Sequence, residues 1–338
     1  MATLSISDFV FVIGGSAGSI EAMRELLSLL PRDFPAPILV VIHTPTDAPG
    51  MMASVLQRDS RMPVLNASND APLLPAHVYV APPNYHLLLK RGRMRLTNGP
   101  TENRYRPAVD PLFRSAAQTY GPDAVGIILS GYLDDGSLGL YRIKQAGGIA
   151  IVQDPEDALA PDMPRNASER VHPDFSVPIR ELAPLMVRLA EQSKAAPKVA
   201  EMTHNPKSTD DPGTPSVFTC PECHGTLWEI EEGGTLRFRC RVGHAFTADT
   251  MLHDQDLDVE RALWAALRVL EENADLSTRL AARAQHKGFH QTEKRYMNRA
   301  EESGRNARVL RQLLTGGDRQ EPTPARSLDD VNQQISAD

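Results

Sequence analysis

Short apolar runs without a polar break, alternating with amphipathic stretches, constrain this chain more than any other feature. Val10-Phe11-Val12-Ile13 ends at Gly14-Gly15. It is followed by Ile20-Glu21-Ala22-Met23-Arg24-Glu25-Leu26-Leu27, whose apolar residues recur at helical spacing up to Pro31. Ile38-Leu39-Val40-Val41-Ile42 is a second run of the same kind, closed by Thr44-Pro45. Val78-Tyr79-Val80, Leu87-Leu88-Leu89, residues 125–129 and Ile149-Ala150-Ile151-Val152 extend the series, with helices expected over 111–120, 138–146 and 179–191. A strand that is apolar at every position has no face to give to water, so it must be covered on both sides. The expected fold is α/β: three layers, α/β/α, around a mostly parallel, doubly wound sheet.

This domain is expected to span 1–193. Residues 194–216 carry Pro197, Pro206, Pro212 and Pro215 among Lys, Ser, Thr and Asp, and read as a linker. A small cysteine-containing unit follows over 217–247, then a helical pair over 248–316 broken near Lys287-Gly288, then a polar tail over 317–338 expected to be disordered. Leu263, Leu267, Leu270 and Ala274 line one face of the first helix, and Met297, Ala300, Ala307, Leu310 and Leu314 one face of the second. Such stripes suit an antiparallel hairpin or a dimerisation element.

With 41% hydrophobic and 23% charged residues the chain is not disordered throughout. No apolar run approaches the roughly 20 residues of a membrane span, so membrane insertion is not expected. Nor is a secretory signal, because no basic segment leads into an apolar stretch at the N-terminus. The 36 Lys+Arg against 43 Asp+Glu, a net charge of -7, speak against a nucleic-acid partner. Three cysteines, all between 220 and 240, do not make a disulfide framework and suit a reducing, cytoplasmic setting.

Three polar residues fall at strand ends. Ser16 lies in Gly14-Gly15-Ser16-Ala17-Gly18-Ser19, a turn of small residues between a buried strand and a helix. Such a turn lifts the side chain over the C-terminal edge of the sheet and brings free helix-start N–H groups beside it. A nucleotide is a poor fit: the spacing is not Gly-x-Gly-x-x-Gly, no P-loop Lys follows, and the next strand ends in His43 rather than an acid. The strand over 125–129 leads into Ser130-Gly131-Tyr132-Leu133-Asp134-Asp135-Gly136. Alone, His43 reads as a structural histidine and the acids as helix caps. Together, a hydroxyl, an imidazole and a carboxylate on one edge are what serine hydrolysis needs.

Residues from Val10 to about Leu189 resemble the catalytic domain of the chemotaxis protein-glutamate methylesterases, the CheB family. The likeness is carried by the Gly-Gly-Ser-Ala-Gly turn, Val-Val-Ile-His-Thr-Pro at 40–45, and Pro75-Ala76-His77-Val78-Tyr79-Val80-Ala81-Pro82-Pro83. It continues through Arg104-Tyr105-Arg106-Pro107-Ala108-Val109-Asp110-Pro111-Leu112-Phe113, Ser130-Gly131, Asp134-Asp135-Gly136, Gly147-Gly148, Val152-Gln153-Asp154-Pro155 and Met163-Pro164. The resemblance implies Ser16 as nucleophile, His43 as base and Asp135 as the orienting acid, with Asp134 as the alternative. It implies hydrolysis of glutamyl γ-methyl esters on a methylated chemoreceptor or other signalling protein, with methanol released, and in some members deamidation of glutamine. No cofactor is implied for catalysis, and Ala17 N–H is the first candidate for the oxyanion. Ala17 and Gly18-Ser19 stand where the family has Thr and a Gly pair, and Tyr132 stands where Met is common. The first strand begins near residue 9, so a preceding receiver domain is not expected and a regulator would act in trans. A non-catalytic signalling or docking module with this fold is the alternative reading.

Cys220-Pro221-Glu222-Cys223, sixteen intervening residues, Cys240, three more and His244 have the spacing of two metal knuckles on a hairpin. Cys220, Cys223, Cys240 and His244 are expected to hold a structural Zn2+ in a zinc ribbon; His224, beside Cys223, is an awkward competitor. A docking role for the ribbon is expected ahead of DNA binding, since Arg237, Arg239 and Arg241 form only a short basic stripe.

Overall fold

The apolar runs assemble into one parallel sheet. The computed structural model describes residues 9–90, 92–192 and 213–315. In chain order the elements are β1 (Val10–Gly15), α1 (Ser19–Leu29), β2 (Ile38–Ile42), α2 (Met52–Gln57), β3 (Val64–Asn66), β4 (Val78–Val80), β5 (His86–Lys90) and β6 (Arg93–Thr97). Then come α3 (Val109–Tyr120), β7 (Ala124–Ile128), α4 (Ser137–Gln145), β8 (Ile149–Gln153), α5 (Asp162–Val171), β9 (Phe175–Val177) and α6 (Ile179–Gln192). The C-terminal part holds β10 (Thr214–Thr219), β11 (Thr226–Glu232), β12 (Thr235–Cys240), β13 (Ala245–Thr247), α7 (Ala248–His286) and α8 (His290–Thr315). Two compact units divide at Leu252 and His253.

The main sheet has the order β3-β4-β2-β1-β7-β8-β9, and every pairing in it is parallel. Alternate residues of β1 feed two separate cores, as the two-residue period of a strand requires. Phe11 and Ile13 pack with Met23, Leu26, Leu27, Leu182 and Met186 of α1 and α6. Val10 and Val12 pack with Leu112, Phe113, Leu140, Ile143 and Met163 of α3, α4 and α5. Both faces of the sheet are thus covered, in the three layers the sequence predicts. The order of connection reverses at β1: the chain runs outward through β2 and returns to β7 on its other side. Such a reversal opens a crevice at the C-terminal ends of the two strands, where sheets of this type place their sites.

Leu87-Leu88-Leu89 does form a strand, but in a separate antiparallel hairpin, β5 with β6, rather than in the main sheet. An apolar triplet says that a segment is extended and buried, not which sheet it joins. The cysteine-containing unit is a four-stranded antiparallel sheet, β10-β11-β12-β13, around Leu227, Phe238, Phe246 and Met251. Its first strand begins at Thr214, inside the stretch read as linker. Pro215 is tolerated there because β10 lies at the sheet edge, where a missing N–H costs no ladder bond. Residues 193–212 of the linker and the tail beyond 315 lie outside the described residues.

In the second unit α7 and α8 are joined around Gly288, at φ 72°. Leu267, Ala281 and Ala284 are buried on α7 and Ala307 on α8, and Arg311 pairs with Glu271 across the two helices. Met297, expected on the inner stripe, is 54% exposed, and Tyr296 takes the half-buried place beside it. Among the described residues no helix is long and apolar enough to cross a membrane.

Candidate active site

Register alone makes neighbours of two of the expected residues. Gly15 of β1 pairs with Ile42 of β2, so Ser16 and His43 are the next residues beyond two adjacent strands, which in a sheet run about 4.8 Å apart. His43 N–H donates to Gly15 O (3.1 Å), and Ser16 N–H crosses to Ser130 O at the end of β7 (2.9 Å). The turn after β1 is pinned on both flanks. Ser19 N–H and Oγ–H donate to Ser16 O, and Ser130 Oγ–H donates to Ala17 O (2.7 Å). Gly131 packs directly on the serine: a Cβ built there would lie 2.8 Å from Ser16 Cβ and 2.1 Å from Met163 Sδ. Tyr132, one residue on, is 63% exposed at the rim.

His43 pairs with Asp135. Nε2 lies 2.7 Å from Asp135 Oδ2, and both side chains are 3% exposed. Three more donors converge on the same carboxylate: Val109 N–H on Oδ2 (2.7 Å), and Asn103 Nδ2 (2.9 Å) and Asp110 N–H (3.3 Å) on Oδ1. Burial opposes the charge, yet the hydrogen bond and charge of His43, with Val109 N–H and Asn103, hold Asp135 below the ordinary carboxylate range. An ionised Asp135 only accepts, so the proton in the 2.7 Å bond sits on Nε2. In a neutral ring the lone pair then falls to Nδ1, which is buried with no hydrogen-bond partner among the described residues. The ring is held in plane by Tyr105, stacked on it at 3.6 Å between centroids and 8° between planes.

The approach of α3 that delivers Val109 N–H depends on Gly14, where a Cβ would fall 2.2 Å from Val109 Cγ1. Beneath it lies a second acid. Burial and the neighbouring Asp135 charge push Asp110 up to about 7, and its oxygens take Gly139 N–H (2.7 Å) and Asn103 Nδ2 (3.3 Å). Asp134 faces elsewhere. It is wholly buried, accepts from Thr247 Oγ1 (2.7 Å) and pairs with Arg170, and burial, only partly offset by Arg170, raises its pKa. Of the two acids the sequence leaves open, Asp135 is thus the one that meets the imidazole. Tyr105, Asn103 and Asp110 are contacts that the strand-end argument does not supply. Tyr105 and Asp110 stand inside the quoted family motif without a role, and Asn103 stands just before it.

The expected metal ligands also come together. Cys220, Cys223, Cys240 and His244 each offer one ligand atom, all within 4.8 Å of one another. Cys223 Sγ and Cys240 Sγ are 3.6 Å apart, and His244 Nδ1 is 3.6 Å from both Cys220 Sγ and Cys240 Sγ. Zinc–sulfur bonds of about 2.3 Å put the corners of a tetrahedron about 3.8 Å apart, so the donor set fits such an ion. His224 is exposed and outside the group.

The CheB methylesterase family profile matches residues 11–186. A relative from Leptospira interrogans, provisionally named a protein-glutamate methylesterase/protein-glutamine glutaminase, is 37% identical over 183 residues, 54% of this chain and 95% of its own length. A Xanthomonas campestris protein-glutamate methylesterase/protein-glutamine glutaminase is 38% identical over 192 residues, 56% of this chain and 53% of its own. The crystal structure of the Thermotoga maritima CheB methylesterase catalytic domain superposes with a TM-score of 0.52 at 31% identity, covering 55% of this chain and 99% of that one. Over residues 11–186 the chain belongs to the CheB methylesterase family.

Proposed function

We propose that the chain is a protein-glutamate methylesterase in which Ser16 is the nucleophile, His43 the base and Asp135 the acid that orients it. The state of His43 carries the reading: one ring nitrogen is committed to Asp135, while the other is buried, without a hydrogen-bond partner among the described residues, and belongs to the strand end next to Ser16. Ser16 Oγ attacks the γ-carbonyl carbon of a methylated glutamyl side chain as its proton passes to Nδ1. The oxyanion is met by N–H groups of the turn after β1, Ala17 first among them, one such donor contributing about 3 kcal/mol. Collapse breaks the C–OCH3 bond, and the methoxide leaves as methanol with the proton from His43. Water, deprotonated by Nδ1, then splits the acyl-enzyme into a free glutamate and Ser16. The same sequence on glutamine expels ammonia. The substrate class is a methylated chemoreceptor or a signalling protein that presents glutamyl esters in the same way.

Methanol release from such a methylated receptor tests this directly. Ser16→Ala is expected to abolish release while its thermal transition stays in place; turnover in that variant would overturn the assignment. For the cysteine cluster, the reading is one structural zinc held by Cys220, Cys223, Cys240 and His244, since four protein donors leave no open position for chemistry. Elemental analysis of the purified chain should give one zinc per chain, lost in Cys220→Ser. A folded chain purified without metal would contradict it.

A further inference from the structure

The segment between β6 and α3 contains a two-residue turn in which Tyr105 N–H donates to Glu102 O (2.9 Å) and Glu102 N–H to Tyr105 O (3.2 Å). Its central residues are both left-handed, Asn103 at φ 48° and Arg104 at φ 70°. Asn adopts this conformation readily; for Arg it costs about 1–2 kcal/mol, so the turn persists because its surroundings hold it. Three of its residues reach out to different parts of the protein. Tyr105 stacks on His43, Asn103 donates to Asp135, and Glu102 accepts from Arg114 of α3 (2.6 Å) and Arg237 of β12 (3.4 Å).

The cysteine-containing sheet closes over the same turn. Asn103 N–H donates to Ala245 O (2.8 Å), Ala245 N–H to Thr101 O (3.4 Å), and Thr247 N–H to Asn103 Oδ1 (3.1 Å). Asn103 is 1% exposed, so both ends of its amide are used inside the protein. A backbone N–H can only donate, so Thr247 fixes the amide oxygen on the ribbon side and turns the nitrogen toward Asp135. Without that bond the amide oxygen loses its anchor, and only the contacts of Nδ2 with Asp135 and Asp110 are left to hold the side chain in place. We propose that Asn103 is a positioning residue for the triad acid and that the ribbon, through Thr247, sets it. This role rests on the reading of Ser16, His43 and Asp135 as a triad. The ribbon is on this view part of the support of the active site, and loosening it lowers turnover without touching a reacting group.

The test uses the full chain and a fluorophosphonate that labels Ser16, with the saturating labelling rate and the half-saturating concentration measured separately. Asn103→Ala is expected to lower the saturating rate at least tenfold, with the half-saturating concentration and the end-point of one label per chain unchanged. Asn103→Asp keeps an acceptor for Thr247 N–H and loses the amide donor. It should show a loss of similar size, and it serves as the isosteric variant if the alanine chain does not fold. Replacing Cys220 and Cys223 together by Ser should also slow labelling, and adding Asn103→Ala to that pair should bring little further loss, because both act through one contact. Asn103→Ala and Asn103→Asp rates within threefold of wild type would overturn the positioning role. A cysteine pair variant that has lost its metal yet labels at the full rate would overturn the control by the ribbon. A merely structural role would lower the labelled fraction instead of the rate. Absence of labelling in the wild type would remove the triad itself, a different failure from either of these.

Discussion

Asp135→Asn tests the site at its most crowded atom pair. Oδ2 receives two donors, His43 Nε2 and Val109 N–H, each at 2.7 Å; Oδ1 receives Asn103 Nδ2 at 2.9 Å and Asp110 N–H at 3.3 Å. An asparagine must place an NH2 group at one of these two positions. On the His43 side it forces the imidazole to accept at Nε2 and carry its proton on Nδ1, so the base has no lone pair for Ser16. On the other side it faces Asn103 Nδ2 and Asp110 N–H, and two buried donors lose their acceptor at about 1–3 kcal/mol each. Activity therefore falls by about 10^4 in the wrong-tautomer arrangement, where Val109 N–H also loses its acceptor at about 1–3 kcal/mol, and stability falls by about 2–6 kcal/mol in the other. Methanol release and urea denaturation of the same preparation read the two quantities. An Asp135→Asn variant within tenfold of wild-type kcat/KM, with an unshifted midpoint, would refute the geometry argued for the acid.

Three further outcomes are expected. Tyr105→Leu removes a stacked ring worth about 0.5–1.5 kcal/mol and should cost about two- to tenfold in kcat/KM, with KM little changed; an unaltered rate would mean that the stack does not orient His43. Gly131→Ala pushes a methyl group into Met163 Sδ and Ser16 Cβ, so activity should drop by about 100-fold alongside about 1–3 kcal/mol of overpacking strain, read by ester hydrolysis and thermal melting. Burial opposes the charge of Glu102, but Arg114 and then Arg237 hold its pKa down to about 2 from the ordinary 4.5. Its contribution is thus complete above pH 4.5 and lost as pH falls towards 2, on the order of 3 kcal/mol in all. The stability gap between wild type and Glu102→Gln should close over that window; a gap that stayed constant would contradict the ion pairs.

What can be read along the chain is whatever local chemistry writes locally. The runs at β1, β2 and β7 announce buried strands because no position in them tolerates water, and Ser16 and His43 follow those strands immediately, so their edge is implied by the strand itself. The cysteine knuckles are legible for the same reason, a fixed spacing around a tight turn. Asn103 and Tyr105 have no such mark. They sit in a turn outside any periodic element, and their roles come from packing against residues as distant as Thr247. Two left-handed residues in succession are themselves unwritten, since Asn103 suits that conformation and Arg104 does not. Met297 is assigned to the wrong face of α8 by one residue, a phase error that a stripe of small alanines does little to prevent. The first half of β10, residues 214–216, reads as linker because Pro215 suppresses a strand everywhere except at a sheet edge.

The bond from Thr247 to Asn103 joins residues 144 positions apart. At roughly 5–20 residues per second of ribosomal synthesis, that interval lasts roughly 7–30 s. On the reading argued above, the nascent domain would emerge with hydroxyl and imidazole already side by side and its carboxylate still without its final brace. The full esterase rate would then be reached only when the last strand of the ribbon arrives, so the order of translation would itself hold back the enzyme's early turnover.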